Sequence, residues 1–199
     1  MPTTSEPDLI LHYPLRTDAA SNQSALTAAV GPDLQMVGGA PDSVANHKGE
    51  ASGAVQFRGG GSLVAPAPAG LPLGQQVRTL CFWAQFANAG EYPNIDAVGY
   101  GSDVAVSFQT ISGFRVLHPW GHARTPDDKW HHYTIVVSGA AVVGYVDGNQ
   151  VFSIEFCPYD TVAGSFFINR SGTTAWAIED VRVYSRALTQ QAVLRLIAT

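Results

Sequence analysis

The sequence has little charge, few cysteines and no long apolar run. Charged residues make up 14% of its 199 residues and hydrophobic residues 46%, a balance typical of globular proteins and not of disordered ones. No Lys/Arg cluster offsets the formal net charge of -5, which argues against binding to nucleic acid or to anionic membranes. No stretch approaches the ~18 apolar residues of a spanning helix, so no membrane insertion is predicted.

The sequence has only two cysteines, Cys81 and Cys157. Cys81 lies within an apolar strand pattern, so we expect a buried free thiol there and a free thiol at Cys157, although residue spacing leaves a disulfide between them open. Residues 1–7 lack a basic stretch followed by an apolar one, so no secretory signal is predicted. We therefore expect a protein that is cytoplasmic or is released without a signal peptide.

Short apolar runs with a period of two dominate the chain. They are separated by many of the 20 glycines and 12 prolines, which act as turn residues. Helical periodicity is confined to 188–197, with Thr189 as a candidate N-cap. The pattern predicts about a dozen short strands in one all-β domain over residues 1–199, a sandwich or a barrel. The predicted strands are 9–15, 54–57, 62–65, 78–86, 95–100, 104–109, 114–118, 130–138, 165–169 and 177–185, whereas 18–51 is predicted to form loops and a short strand.

The clearest local unit is a hairpin over residues 141–156. Asp147 and Gly148 supply the positive φ values that a tight two-residue turn requires. Centring the turn there predicts a register, and with it one largely apolar face. The predicted pairs are Tyr145 with Gln150, Val143 with Phe152, and Ala141 with Ile154.

Five motifs in order resemble laminin-G-like domains of the concanavalin A-like lectin/glucanase family. They are Leu11-His-Tyr-Pro-Leu15 with Ala54-Val-Gln-Phe57, Thr79-Leu-Cys-Phe-Trp83, Trp130-His-His-Tyr133, Tyr145-Val-Asp-Gly148, and Ile178-Glu-Asp-Val-Arg-Val-Tyr184 with Arg186-Ala-Leu188. The resemblance implies a two-sheet antiparallel β-sandwich, a concanavalin A-like jelly roll with a short C-terminal helix. It also implies about six or seven strands in each sheet, binding of carbohydrate or protein, and often a calcium ion.

Two departures from the family pattern weigh against an inherited calcium site. Residues 16–24 follow the first strand but contain no glycine and one carboxylate, and Trp176 stands where the family usually has a small residue. Calcium needs several oxygen ligands, which Asp18, Asn22, Asp180 and backbone carbonyls could supply. We predict no metal ligands, and leave Ca2+ open as a cofactor.

The carboxylates do not predict a glycosidase. Such enzymes place two carboxyl groups on either side of the scissile bond, and two residues of one strand share a face only at even spacing. Glu179 and Asp180 are adjacent, so we expect them to point to opposite faces. Glu50, Glu91 and Glu155 are isolated, and no nucleophile elbow is present. The protein is predicted not to be an enzyme, with convergence of distant carboxylates as the alternative.

The histidines do not predict a metal centre either. His131 and His132 are neighbours on a strand, so their side chains should diverge. His132 matches the family's Trp-x-His histidine, for which the resemblance implies a structural role. Trp83 and Trp130 lie within apolar strand patterns and are predicted to be core residues.

Three loops combine aromatic and polar side chains, as sugar-binding sites do. The candidate ligand-binding residues are His118, Trp120, His122 and Arg124 in the first loop, Tyr92, Asn94 and Asp96 in the second, and Asn169 with Trp176 in the third. The alternative is that Trp120 and Trp176 cap the ends of the sandwich and that Tyr92 covers a loop.

These features favour a non-enzymatic, lectin-like protein in which Trp120 stacks on a sugar ring. The expected partner is a glycan or glycoconjugate, and homo-oligomer formation is left open. One alternative is a structural or adhesion module that contacts proteins, for instance an assembly protein of a phage or other particle. The other is a glycoside hydrolase of the same fold.

Overall fold

The structure is a computed structural model. It describes residues 6–17, 25–86, 96–101, 108–110, 114–116, 122–123, 127–156, 161–171 and 175–199. Within them the chain forms fifteen strands and one helix. In chain order these are β1 (Leu9–Tyr13), β2 (Gln35–Val37), β3 (Asp42–Val44), β4 (Ala54–Phe57), β5 (Ser62–Ala65), β6 (Arg78–Phe86), β7 (Asp96–Tyr100), β8 (Phe108–Thr110), β9 (Phe114–Val116), β10 (His122–Ala123), β11 (Trp130–Ser138), β12 (Ala141–Val146), β13 (Asn149–Ile154), β14 (Phe166–Ser171), β15 (Trp176–Tyr184) and α1 (Gln190–Ile197).

Two antiparallel sheets face each other. Among the described strands, the larger sheet has eight in the order β13-β12-β11-β6-β15-β4-β3, with β1 also paired to β15. The smaller sheet has seven in the order β10-β9-β8-β7-β14-β5-β2. The predicted all-β sandwich with a short C-terminal helix is confirmed. Residues 25–51, the described part of the region 18–51, hold two short strands, β2 and β3, where one was predicted.

Strand β6 shows how the sequence builds the two faces of the larger sheet. Its alternate residues Leu80, Phe82, Ala84 and Phe86 join the main core between the sheets. The intervening residues, including Cys81 and Trp83, therefore point to the outer face, because successive side chains of a strand point in opposite directions.

Helix α1 covers part of that outer face. The Thr189 side chain caps it by accepting a hydrogen bond from the Ala192 backbone N–H at 3.2 Å, as the sequence predicts. Val193 of the helix packs with Cys81 and Tyr184 of the sheet. Cys81 is a free, buried thiol, as predicted, and burial raises its pKa, which makes it unreactive. Cys157 lies outside the described residues.

The β12–β13 hairpin turns at Asp147 and Gly148 as predicted, but its register shifts by one residue. Tyr145 pairs with Gln150, whereas Phe152 lies opposite Gly144 and not opposite Val143. A Cβ atom at position 144 would overlap the Phe152 ring, so glycine alone leaves room for that ring. The predicted pairs of Val143 and Ala141 were therefore wrong, because the prediction assumed a hairpin without a bulge.

In the parts of the chain that the structure describes, no helix is long and apolar enough to cross a membrane.

Candidate functional site

An extra residue in β15 shapes the outer face of the larger sheet. Glu179 pairs with Trp83 of β6, and Arg182 pairs with Cys81, so three steps along β15 match two along β6. Asp180 takes a φ of +52° within this bulge, a left-handed conformation that Asp tolerates better than most residues. Beyond the bulge, the side chains of β15 again alternate between the two faces of the sheet, and Val181 points into the core.

The bulge places Glu179 and Asp180 in one pocket of about 370 Å³. The prediction that these two side chains point to opposite faces was wrong, because it assumed a regular strand. We call this cavity the outer-face pocket. It lies between the larger sheet, the turn that precedes β4, and the C-terminal end of α1. Its lining residues are His12, Pro14, Arg16, His47, Lys48, Trp83, Glu179, Asp180, Arg182, Leu196 and Thr199.

Each carboxylate of the pocket holds an imidazole. Glu179 Oε1 accepts a hydrogen bond from the His47 backbone N–H at 2.8 Å and lies 2.7 Å from His47 Nδ1. Asp180 Oδ1 lies 2.7 Å from His12 Nε2 and accepts a hydrogen bond from Arg182 Nε at 3.0 Å. These two carboxylate–imidazole pairs, here called dyads, hold the histidine rings at the pocket wall.

The turn that carries His47 is ordered by Asn46. The buried Asn46 Oδ1 accepts hydrogen bonds from the backbone N–H groups of Lys48 at 3.0 Å and Glu50 at 2.9 Å. Gly53 lies against this side chain, and a Cβ atom there would overlap it. Such a local side chain to backbone motif is characteristic of Asn in turns. It sets the position from which His47 reaches Glu179.

Trp83 lies in the wall of the pocket. The His47 ring stacks on its indole with ring centroids 4.0 Å apart and an interplanar angle of 6°. The His132 ring meets the indole edge-on at 5.3 Å. Trp83 and Trp130 were predicted to be core residues, but both are half-buried. Trp83 faces outward because it alternates with the core residues of β6.

The electrostatics of the pocket keep Asp180 ionised. Burial raises its pKa, but the hydrogen bond from His12 and the charge of Arg182 outweigh burial and lower the pKa to about 2. The Arg182 guanidinium also lies 3.5 Å from Glu6 Oε2, and the Asp180 charge raises the Arg182 pKa against the effect of burial. Asp180 is thus a permanent acceptor and cannot donate a proton near neutral pH.

His132 lies behind the pocket as a buried scaffold residue, as the sequence predicts. Its Nδ1 is 3.3 Å from Thr134 Oγ1. Burial lowers its pKa to about 4, with further lowering by the charges of Arg182 and His47 and opposing effects of Asp180 and Asp147. His131 diverges from it, with Nδ1 2.6 Å from Asp147 Oδ2 and Nε2 3.0 Å from Asp127 Oδ1. Burial lowers the His131 pKa, but these carboxylates raise it on balance.

We expect the protein to lose stability as the pH falls from about 6.5 to about 4, because of His132. In this window the unfolded histidine binds a proton while the native one, with a pKa of about 4, does not. Stability from a depressed histidine pKa is complete above the unfolded pKa and falls below it, by up to about 3 kcal/mol here. Urea unfolding at a series of pH values measures the slope. His132→Gln should flatten it, and an unchanged slope in that variant would contradict the assignment.

The structure places three predicted site residues away from the outer-face pocket. Asp96 is buried at the start of β7 and accepts hydrogen bonds from Arg170 Nε at 3.1 Å and Nη2 at 3.0 Å. Asn169 is also buried. Its Oδ1 accepts a hydrogen bond from Trp176 Nε1 at 2.9 Å, and its Nδ2 donates one to the Gly61 carbonyl at 2.6 Å.

Trp176 is a core residue, and its proposed role in a binding loop was wrong. It is 1% exposed and stacks with Phe57 and Phe86, at centroid distances of 5.4 and 5.3 Å. Its ring points inward because Trp176 and Ile178 are the inward residues of β15 before the bulge. Asn169, whose amide is committed to Trp176 and Gly61, supports this core contact rather than a ligand.

The other predicted site residues cannot be placed in the same way. His118, Trp120, Arg124, Tyr92 and Asn94 lie outside the described residues, as do Asp18 and Asn22. His122 belongs to β10, a short strand where a loop was predicted, and only its backbone is described. Among the described residues, no three His, Cys, Asp or Glu side chains are grouped so that they could hold a metal ion.

Sequence reasoning missed His12, Arg16 and His47 as residues of one pocket. One signal was present in the closing strand. Inward residues Ile178 and Val181 are separated by three positions rather than two, and such a break in alternation is typical of a bulge. The pairing of His47 with Glu179, 132 residues apart, left no local signal.

Comparisons with known proteins identify the family. The model of the concanavalin A-like lectin/glucanases superfamily (Laminin_G_3) matches residues 57–194. The chain belongs to this superfamily. No curated protein matches the chain in sequence.

Solved structures of this superfamily fold resemble the chain at low identity. The receptor-binding domain of botulinum neurotoxin D has a TM-score of 0.72 and 11% identity, over 96% of this chain and 52% of that one. A structure of botulinum neurotoxin type C, whose cell entry depends on interaction with two ganglioside molecules, has a TM-score of 0.73 and 10% identity, over 96% and 51%. The chain thus spans about half the length of these two neurotoxin chains.

A third structure matches over its whole length. Domain 4 of AbnA, an extracellular arabinanase of Geobacillus stearothermophilus, was solved in complex with arabinotriose. It has a TM-score of 0.62 and 18% identity, over 95% of this chain and 98% of that domain. At these identities the likeness concerns the fold.

Proposed function

We propose that the protein binds a glycan and does not transform it. The observation that carries the proposal is the outer-face pocket, which combines the two carboxylates of the bulge with two imidazoles, two guanidinium groups and an indole. A cavity of about 370 Å³ falls within the range of small-ligand sites, which combine apolar surface with a few fixed polar groups.

The polar groups suit the hydroxyl groups of a sugar. A carboxylate oxygen accepts a hydrogen bond from a hydroxyl, a guanidinium donates one, and an imidazole can do either. The dyads of Glu179 with His47 and of Asp180 with His12 hold these groups in place before a ligand arrives. Pre-formed groups lose little entropy on binding, which favours affinity. Trp83, which lines the pocket beside the stacked His47 ring, adds apolar surface for the C–H groups of a sugar.

The structural neighbours support a glycan as the class of ligand. AbnA domain 4 was solved in complex with arabinotriose, and botulinum neurotoxin type C interacts with gangliosides. Because the identities are 18% and 10%, they support saccharide binding by this fold and leave the particular sugar open.

The state of the pocket carboxylates supports binding rather than hydrolysis. A glycosidase acid must hold its proton near neutral pH, which requires a raised pKa. Asp180 has its pKa lowered to about 2, and the Glu179 side chain, 3% exposed, is occupied by His47. Asp180 is therefore not suited to protonate a leaving group.

The loop residues of the sequence prediction define a second surface within the proposal. Trp120 with His118, His122 and Arg124 remains a candidate platform for a sugar ring, and Tyr92 and Asn94 belong to the second candidate loop. Substitutions at His47 and at Trp120 test the two surfaces separately.

The proposal is tested by screening the intact protein against a glycan array, followed by calorimetric titration of the hits. We expect at least one saccharide to bind at high micromolar concentration or tighter. His47→Ala should weaken binding about tenfold if the pocket is the site, because the pocket loses a ring that forms its wall. Trp120→Ala should do so if the loop is the site. Melting curves of each variant exclude unfolding as the cause.

Two outcomes would contradict the proposal, and a third would contradict only its sites. Absence of binding to any saccharide would refute it, and a stable oligomer in light scattering would then favour the alternative of a protein-interaction module. Binding that neither substitution weakens would refute both sites. Release of reducing sugar from a bound polysaccharide would show an enzyme.

A further inference from the structure

The walls of the outer-face pocket are joined to one another. The larger sheet forms the floor, and the walls are β1 with the residues that follow it, the turn that precedes β4, and the C-terminal end of α1. The first two walls meet where the Thr17 backbone N–H donates a hydrogen bond to the Ser52 carbonyl at 2.9 Å. The side chains of Arg16 and Glu50 approach to 3.8 Å in the same two segments. A sugar ring cannot pass between segments held at hydrogen-bond distance.

Two further contacts complete the ring of walls. The turn meets the end of α1 where Lys48 Nζ donates a hydrogen bond to the Thr199 carbonyl at 2.5 Å. Helix α1 meets β1 through apolar packing, because Leu196 and Leu9 both pack against the buried cluster that includes Tyr184. Each wall therefore contacts the next. The outer-face pocket is a cup with one opening, whereas a groove would be open at two ends.

The pocket has room and stacking surface for a short ligand. Its volume of about 370 Å³ lies near the lower end of the ~300–1,000 Å³ range of small-molecule sites. Among the described residues that line it, Trp83 is the one with an indole, phenol or benzyl ring, and His47 covers part of that indole. A site that follows a polysaccharide needs apolar surface for each successive sugar ring. This pocket suits about one or two rings.

We propose that the outer-face pocket binds the end of a glycan chain and excludes its interior. The terminal sugar enters the pocket, where its hydroxyl groups meet His12 and His47 and its C–H groups meet Trp83. The rest of the chain leaves through the single opening. An internal sugar carries a neighbour on both sides, and the joined walls leave an exit for one of them. This inference rests on the proposed function and adds which part of a glycan is recognised.

The experiment compares glycans that carry the same sugar at a chain end and inside a chain. On the glycan array, where each chain is fixed by its reducing end, the glycans that bind should share their outermost sugar. Glycans that carry this sugar only inside the chain should give at most about a tenth of the signal, because the pocket holds about one or two rings.

A titration in solution tests the same point through chain length. Arabino-, xylo- and malto-oligosaccharides, from the disaccharide to the hexasaccharide, are titrated into the intact protein by calorimetry. In each series that binds, the Kd should change by less than about threefold with length, because the added sugars lie outside the pocket. A site for the chain interior would instead bind longer chains progressively more tightly.

A variant that opens one wall tests the geometry. Lys48→Ala removes the side chain that joins the turn to Thr199, so discrimination against internal sugars on the array should fall several-fold. Lys129→Ala is the matched control. Lys129 is also exposed and pairs with Asp127 outside the pocket lining, so its loss should leave the discrimination unchanged. Melting curves of both variants exclude unfolding as the cause.

The outcomes separate this inference from the proposed function. Equal binding of terminal and internal sugars, an affinity that rises steadily with chain length, or a Lys48→Ala protein that discriminates like the parent would each overturn the inference while the proposed function stands. Binding of no saccharide, either on the array or in solution, would overturn both.

Discussion

Replacing Trp176 by alanine should lower the free energy of unfolding by about 3–5 kcal/mol, the usual cost of deleting a buried indole. The ring is 1% exposed and stacks between Phe57 and Phe86. Its deletion leaves a cavity and also leaves the Asn169 Oδ1 acceptor without its donor. Urea unfolding followed by far-ultraviolet circular dichroism measures the change as a lower midpoint at constant slope.

Two variants make this prediction specific to burial. Trp176→Phe keeps an aromatic ring but loses the indole N–H, so it should cost less than alanine, about 1–3 kcal/mol. Phe156→Ala removes an aromatic ring that is 85% exposed and should change stability by less than about 0.5 kcal/mol. A Trp176→Ala protein as stable as Phe156→Ala would show that the indole is not in the core.

Replacing Gly61 by alanine should cost about 2–3 kcal/mol, because backbone strain and steric overlap act together. Gly61 has a φ of +138° and directly precedes β5. A Cβ atom there would overlap the Gly39 carbonyl oxygen. A backbone atom cannot rotate away as a side chain can, so β5 and its neighbour β2 would have to separate. The Gly61 carbonyl also accepts the Asn169 amide.

Gly60 is the matched control for this substitution. It adjoins Gly61, and a Cβ atom there would meet nothing within 4 Å. Gly60→Ala should leave stability within about 1 kcal/mol of the parent, since the less flexible unfolded chain offsets any small strain. Thermal melts of the two variants side by side measure the difference. Equal melting temperatures would refute the steric argument.

Features that depend on local sequence could be predicted. The alternation in β6 and β15, the Asp147–Gly148 turn and the Thr189 cap each follow from neighbouring residues. These features were enough to predict the sandwich fold and the position of the helix. The register of the hairpin was predicted only as far as Tyr145, because the bulge depends on the Phe152 ring entering the space above Gly144.

The candidate site could not be predicted because its contacts are distant in sequence. His12 meets Asp180 across 168 positions, and His47 meets Glu179 across 132. The sequence-based prediction chose candidate binding residues from loops rich in aromatic side chains. That criterion considers each loop by itself and cannot detect contacts between distant segments. It placed Trp176 in such a loop, whereas the inward phase of β15 makes it a core residue.

The outer-face pocket draws on nearly the full length of the chain. Its lining runs from His12 near one end to Leu196 near the other, with Trp83 from the middle. No isolated hairpin or fragment contains it, so a ligand that occupies it recognises only the assembled fold. A ligand that binds only the folded protein shifts the unfolding equilibrium toward the folded state. At a free ligand concentration of a hundred times its Kd, it would raise the free energy of unfolding by about 2.7 kcal/mol.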